Sequence, residues 1–412
     1  MKPQCIKAEK IPLSIYVHLP WCKKKCPYCD FNSHEIKQSI PEKEYCEALL
    51  KDFFSILSKV GKRKVKTIFF GGGTPNLFSP KSIKKIISNI RNNIDLDSNA
   101  EITLESNPSG LNKERSNVLE NLCEIRDSGV TRLSIGIQSF DDHQLRKLGR
   151  LYSGDQALFF LKTASAVFEN INIDIMYGNP NQEIQSANND LSTAISFRPK
   201  HFSLYQLAIE PNTLFYKNPP RLPNEDQIWQ MYSSNLDILN RHDYHRYEVS
   251  AFSLTNKECK HNLNYWEFGD YLGIGAGAHS KLTQNSKVER HLCKQNPNTY
   301  INLLSSQSND LYSSSLSHHR GVFTVSTVDL PFEFMLNGLR LVGGVNLDVF
   351  TDRTGCSVDA LSEGINIGIK KGLLEMKGNV VKASDYGLNF LNDLQLLFMT
   401  NHPKKAPIKA QT

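Results

Sequence analysis

Trp21-Cys22-Lys23-Lys24-Lys25-Cys26-Pro27-Tyr28-Cys29-Asp30-Phe31 places three cysteines within eight residues, directly after the β-rich run Ser14-Ile15-Tyr16-Val17-His18. Spacings of four and three let three thiolates reach one metal centre from a single loop. A cubane cluster has four irons, so three protein ligands leave one iron open to an outside ligand. Other readings compete. A structural zinc could take its fourth ligand from His18 or His34, Cys26-Pro27-Tyr28-Cys29 alone has the form of a dithiol redox pair, and the thiols could be unligated. A third cysteine in a long α/β chain does not suit a small thioredoxin-like domain. The spacing suits a cluster best, with Cys22, Cys26 and Cys29 as metal ligands.

Outward from this loop, the chain alternates strand-like and helix-like stretches up to about Val249. Strands are expected at Ser14–His18, Thr67–Phe70, Glu101–Glu105, Arg132–Ile137, Ile171–Tyr177 and His201–Ala208. In the first intervening window Tyr45, Ala48, Leu49, Ile56, Leu57 and Val60 recur at helical spacing, with Pro41 placed to open the helix. Further helices are expected over Pro80–Arg91, Asn112–Arg126, Asp155–Phe168, Gln185–Ser196 and Glu225–Asn240. Six βα units imply a parallel sheet with right-handed crossovers. An eight-stranded barrel would need two more, and the rhythm breaks after Tyr247, so the fold class is α/β with an incomplete (β/α)6 barrel. Function then belongs at the C-terminal ends of the strands. A smaller C-terminal region, 326–412, reads as helices around a hairpin at Gly378-Asn379, a winged-helix-like module. Residues 285–325, rich in Ser, Asn and Gln, read as the linker between it and the barrel with its extension, 1–284.

Composition narrows the class. The 412 residues are 40% hydrophobic, and no run approaches the ~18–20 apolar residues needed to span a bilayer. The N-terminus lacks the pattern of an export signal, so cytoplasmic residence is expected. Nine cysteines in such a chain argue against a disulfide scaffold. A net charge of +6 is mild, and the C-terminal module has no concentrated basic helix, so nucleic acid is not an expected partner. Lys23-Lys24-Lys25 would favour thiolates beside it and could receive an acidic redox partner.

The CX3CX2C loop resembles that of the radical S-adenosylmethionine (SAM) superfamily, in which a 4Fe-4S cluster binds SAM at its open iron. Phe70-Gly71-Gly72-Gly73-Thr74-Pro75, one βα unit later, is similar to that family's glycine-rich segment for the SAM amino group. Glycines here permit close backbone approach. The resemblance implies cofactor contacts at Tyr16, Tyr28, Gly72, Gly73, Thr74, Glu105, Gln138, Arg150, Asp174 and Ala208. A carboxylate at Glu105 or Asp174 suits ribose hydroxyls or an amino group, and Arg150 suits a carboxylate.

Within the superfamily the chain resembles the coproporphyrinogen dehydrogenase branch, and two groups of it remain. One is the oxygen-independent coproporphyrinogen III dehydrogenase, an enzyme of porphyrin biosynthesis whose pattern is CX3CX2CXC with a longer N-terminal extension. Here the fourth cysteine position is Phe31, and 21 residues precede Cys22. The other is the HemW group of haem chaperones, with its HNXXYW signature, matched by His261-Asn262-Leu263-Asn264-Tyr265-Trp266. That resemblance implies haem as a third ligand, a haem-acceptor protein as partner (a membrane respiratory protein would bring the chain to the inner membrane periphery), and, if SAM is cleaved, a flavodoxin-like electron donor. His261 can ligate iron while Tyr265 and Trp266 face a porphyrin; His279, His18 and Cys259 are the other axial candidates.

Overall fold

The computed structural model describes residues 5–110, 116–305 and 320–399. Its first strand explains the burial of the rest. In β1 (Leu13–Leu19) the apolar residues Leu13, Ile15, Val17 and Leu19 are fully buried, and Ser14 on the opposite face is buried as well. A strand covered on both faces belongs inside a parallel sheet. Five more follow at the expected places: β2 (Val65–Gly72), β3 (Leu96–Ser106), β4 (Arg132–Gln138), β5 (Ile171–Tyr177) and β6 (His201–Gln206). They pair in parallel and in chain order, β1 to β6.

The sheet does not close. Beyond β6 it continues antiparallel with β7 (His245–Glu248) and β8 (Ala251–Ser253). On the other edge β1 pairs in parallel with β9 (Asp270–Ile274). After that come β10 (His279–Gln284), β11 (Lys287–Cys293) and β12 (Arg320–Thr324), all antiparallel. The full order is β12-β11-β10-β9-β1-β2-β3-β4-β5-β6-β8-β7, twelve strands in one sheet.

Helices cover the outer face for legible reasons. Pro41 precedes the helix Glu42–Val60, which buries Tyr45, Ala48, Leu49, Ile56 and Val60 and ends at Gly61 in the left-handed region, φ 63°. Ser79 caps Pro80–Asn93 by accepting from Ser82 N, and Ile83, Ile86, Ile87 and Ile90 form its buried stripe. Capping boxes open Gly154–Val167 (Ser153 with Gln156) and Glu225–Arg241 (Asn224 with Gln227). Ser116–Asp127 and Ile184–Ile195 complete the expected set. The start of the window expected from Asn112 lies outside the described residues. Among the described residues no helix is long and apolar enough to cross a membrane.

The C-terminal region holds the helices Leu330–Gly338, Leu347–Thr354 and Asp359–Lys370 and a hairpin of Leu374–Lys377 with Val380–Ala383. Two short helices follow, Asp385–Asn389 and Leu391–Leu396, separated at Phe390. The linker expected over 285–325 is corrected where it is described. Lys287–Cys293 is a sheet strand, Pro297–Ser305 is a helix burying Tyr300, Ile301 and Leu304, and Arg320–Thr324 is the next strand. Residues 306–319 lie outside the described residues.

At the foot of the sheet, Asp270 opens β9 fully buried and accepts from Arg63 Nη1 at 2.6 Å, Lys281 Nζ at 2.9 Å and Thr283 N at 2.8 Å. Lys281 and Arg63 hold this carboxyl below its ordinary range, although burial alone would raise it. Removing it would strand two buried cations. Asp270→Ala should lower unfolding free energy by about 3–5 kcal/mol in urea titration; a change below about 1 kcal/mol would show that the cations find other partners.

Candidate functional site

The cysteine loop is closed at its base. Trp21–Cys22 pairs in parallel with His34–Glu35, through His34 N to Pro20 O at 2.7 Å and Ile36 N to Cys22 O at 2.9 Å. Trp21 is buried edge-on against Tyr45, ring centroids 4.7 Å apart. Cys22 is buried beneath the loop, while Cys26 and Cys29 are half-buried on a turn closed by Cys29 N to Cys26 O at 3.1 Å.

The glycine segment at the end of β2 locks onto this loop. Gly73 N donates to Leu19 O at 2.9 Å and Thr74 N to Trp21 O at 2.8 Å. A Cβ on Gly73 would lie 2.4 Å from Trp21 O, and one on Gly72 (φ 117°) would lie 2.7 Å from the His18 ring. The glycines are therefore demanded first by the neighbouring chain, and only then by the approach of a ligand.

A cavity of about 920 Å³, including its open mouth, lies between the loop and the strand ends. Cys22, Cys26, Cys29 and Tyr28 line one side, with Gly72, Gly73 and Thr74 next to them. Opposite are Glu105 from the end of β3, Gln138 from β4, Asp174 from β5 and Arg150 from the following loop. Eleven of the sequence-predicted residues thus share one space, the three cysteines among them. Ala208 does not line it; it sits exposed beyond the end of β6. Tyr16 lies on the far side of Gly72, facing a second cavity.

Each polar group is held. Arg150 donates Nη2 to Gly136 O at 2.7 Å and Nε to Tyr152 OH at 2.9 Å, leaving Nη1 at 3.5 Å from Cys26 Sγ. Gln138 adopts φ 68° at a bulge in β4 and accepts from Tyr205 OH at 2.8 Å. A left-handed non-glycine residue at a strand end marks a position constrained by its surroundings. Asn172 Nδ2 donates to Asp174 Oδ1 at 2.7 Å. Glu105 Oε2 accepts from Gly72 N at 3.1 Å, and burial, with the Asp174 charge behind it, pushes this carboxyl up to about 8. Burial likewise pushes the Cys22 thiol up to about 11. Among the described residues no three His, Cys, Asp or Glu side chains are disposed around a single metal ion, and His34 is engaged with Asn32 Oδ1 at 3.1 Å.

The HNLNYW segment forms the helix Lys260–Trp266. His261 is buried with both ring nitrogens occupied: Nδ1 with Thr67 Oγ1 at 2.7 Å and Nε2 with Tyr265 OH at 3.0 Å. Its ring stacks on Phe69 at 5.0 Å. Trp266 turns away into the C-terminal core, under the Arg340 guanidinium at 4.4 Å. Tyr265 alone of the three lines the second cavity, about 1360 Å³ with its open mouth, beside Tyr16, Tyr271 and His279. Lys25, Phe31, Gly72 and Glu105 line both cavities. Sequence reasoning missed Tyr205, Tyr152 and Tyr271; of these only Tyr205, near the end of β6, had a position that could have flagged it.

The raised pKa of Glu105 sets a pH dependence. In the folded chain it stands above the ordinary 4.5, at about 8, so the unfolded chain releases this proton first as pH rises. Cofactor-free protein should lose stability from about pH 4.5 to about pH 8, a few kcal/mol in all at about 1.4 kcal/mol for each pH step of one. Glu105→Gln should flatten that part of the curve in denaturant titrations, and an identical slope in the variant would contradict the assignment.

Comparison with known proteins agrees with this geometry. Residues 16–191 match the model of the radical SAM superfamily, and residues 325–390 match the HemN C-terminal domain. The chain is 40% identical over 395 residues to a protein of Haemophilus influenzae named heme chaperone HemW, covering 94% of this chain and 98% of that one. Proteins of the same name from Escherichia coli and Bacillus subtilis are 38% and 34% identical, over 94% and 91% of this chain and 98% and 96% of theirs. Among solved structures, coproporphyrinogen III oxidase (HemN) from Escherichia coli superposes with a TM-score of 0.77 at 21% identity, over 95% of this chain and 91% of that one, a likeness of fold. With the radical SAM model matched over residues 16–191 and relatives of this identity along nearly the whole length, the chain belongs to the HemW family of radical SAM proteins.

Proposed function

We propose that this protein is a haem chaperone, one that binds haem and hands it to an acceptor protein, and that it carries a 4Fe-4S cluster and SAM at the mouth of its sheet. The observation that carries the reading is the gathering of Cys22, Cys26 and Cys29 with Glu105, Asp174 and Arg150 around one cavity, in a chain whose relatives are named haem chaperones.

The residues fit the cluster. A buried thiol such as Cys22 becomes a thiolate only beside strong positive charge, which bound iron supplies. When bound, such a cluster offers one iron to SAM. Gly72, Gly73 and Thr74 present backbone to a ligand amino group. Glu105 and Asp174 suit hydroxyls or an ammonium, and Nη1 of Arg150 suits a carboxylate. An electron donor of flavodoxin type, were SAM to be cleaved, would meet the loop at Lys23–Lys25, of which Lys24 is exposed.

Phe31 supports carriage over porphyrin chemistry. It stands where the decarboxylating group has its fourth cysteine, and its ring is 62% exposed at the rim of both cavities. Anaerobically reconstituted protein should bind haem saturably with a shifted Soret band. Given SAM, reductant and coproporphyrinogen III, it should form no decarboxylated product; appreciable turnover would overturn the chaperone reading in favour of the enzyme. Cys26→Ala should lose the iron, the sulfide and the cluster's electron paramagnetic resonance signal, and full retention of all three would remove the cluster from this loop.

A further inference from the structure

We propose that His279 gives haem its axial imidazole, in the second cavity, and that His261 instead positions Tyr265 there. The proposal rests on the haem-carrying reading above and deepens it by naming the ligand and the pocket.

The other candidates are already committed. His261 is 1% exposed with both nitrogens in hydrogen bonds. His18 bonds Tyr16 OH at 3.0 Å and Asn32 O at 2.9 Å through its two nitrogens. The Cys259 thiol is buried, donates to Glu101 Oε1 at 3.5 Å and is pushed up to about 12 by burial. His279 is different. It is exposed at the start of β10, it lines the second cavity, and its ring has no hydrogen-bond partner among the described residues.

The surroundings suit a flat apolar macrocycle with anionic edges. Residues directly across a sheet share a face, so His279, Leu292 and Gly321 form one row across β10, β11 and β12. Phe323, two residues beyond Gly321, is on the same face and 53% exposed, and Leu292 is 36% exposed. Gly321 carries no side chain to interrupt the row, and a Cβ there would meet nothing within 4 Å. Tyr265 and Tyr271 stand edge to face at 4.5 Å as the inner wall. Tyr265 is fixed by its hydroxyl contact with His261 at 3.0 Å. Lys25, which spends one donor on Phe31 O at 3.0 Å, lines the same cavity with others to offer a propionate.

The test is an anaerobic haemin titration of the full-length, cluster-loaded protein, followed by absorption and electron paramagnetic resonance. His279→Ala should bind haemin roughly tenfold or more weakly and lose the histidine-ligated low-spin signature. Added imidazole should restore that signature, and unchanged cluster absorbance should report an intact loop. His279→Met should retain haemin with an altered spectrum, which separates lost ligation from lost folding. His261→Gln should keep the wild-type signature. A wild-type spectrum in His279→Ala, or its loss in His261→Gln alone, would overturn the assignment. No Soret shift in the wild-type protein would instead sink the haem-carrying reading itself.

Discussion

The contact between two backbones at the top of the sheet governs everything above it. Gly73 lies so close to Trp21 O that no side chain fits, and its amide and that of Thr74 bond the chain on either side of Pro20. This pins the base of the cysteine loop to the end of β2. Three thiols on a free eleven-residue loop would sample many arrangements, each costing entropy to order around a cluster. Fastened to β2 and closed by the pairing of Trp21–Cys22 with His34–Glu35, the loop faces the carboxylates and Arg150 from one direction.

The molecule divides its electrostatics by height. At the N-terminal ends of β1 and β9, Asp270 is saturated by Arg63, Lys281 and Thr283, an arrangement with no capacity to spare. At the opposite end, Glu105 and Asp174 are buried near each other with few donors, and both carboxyls are pushed upward by burial. Such under-satisfied groups destabilise the empty protein and are tolerated where a ligand completes them. Stability resides at the foot and chemistry at the mouth, as expected of a parallel sheet with helical crossovers.

Much of this was legible in the sequence because the signals were local. The six parallel strands carry short runs rich in β-branched and aromatic residues, and helices such as Pro80–Asn93 announce themselves by Ser79, Pro80 and four spaced isoleucines. The cysteine spacing and the glycine run likewise need no knowledge of distant residues. What stayed hidden is non-local. The pairing of β1 with β9 joins residues some 250 positions apart, and no pattern in Asp270–Ile274 specifies it. Lys287–Cys293 looked like linker because Lys287, Glu289, Arg290 and His291 interrupt any apolar alternation, although the strand is paired on both sides. The fold disperses the side chains of the HNLNYW motif. Its histidine is buried under Thr67 and Tyr265, its tryptophan belongs to the second core, and only its tyrosine reaches the cavity.

The two cavities share a wall made of Lys25, Phe31, Gly72 and Glu105, so a haem in the second cavity would stand across that wall from a cluster in the first. The most direct measurement is the spin relaxation of the reduced cluster in protein loaded with copper(II) protoporphyrin, a paramagnetic haem analogue that the cluster's reductant leaves unreduced. Neighbouring paramagnets should shorten the cluster's relaxation relative to the porphyrin-free protein, and the effect should vanish when diamagnetic zinc protoporphyrin takes its place. An unchanged relaxation time at full porphyrin occupancy would put the macrocycle on some other face of the molecule.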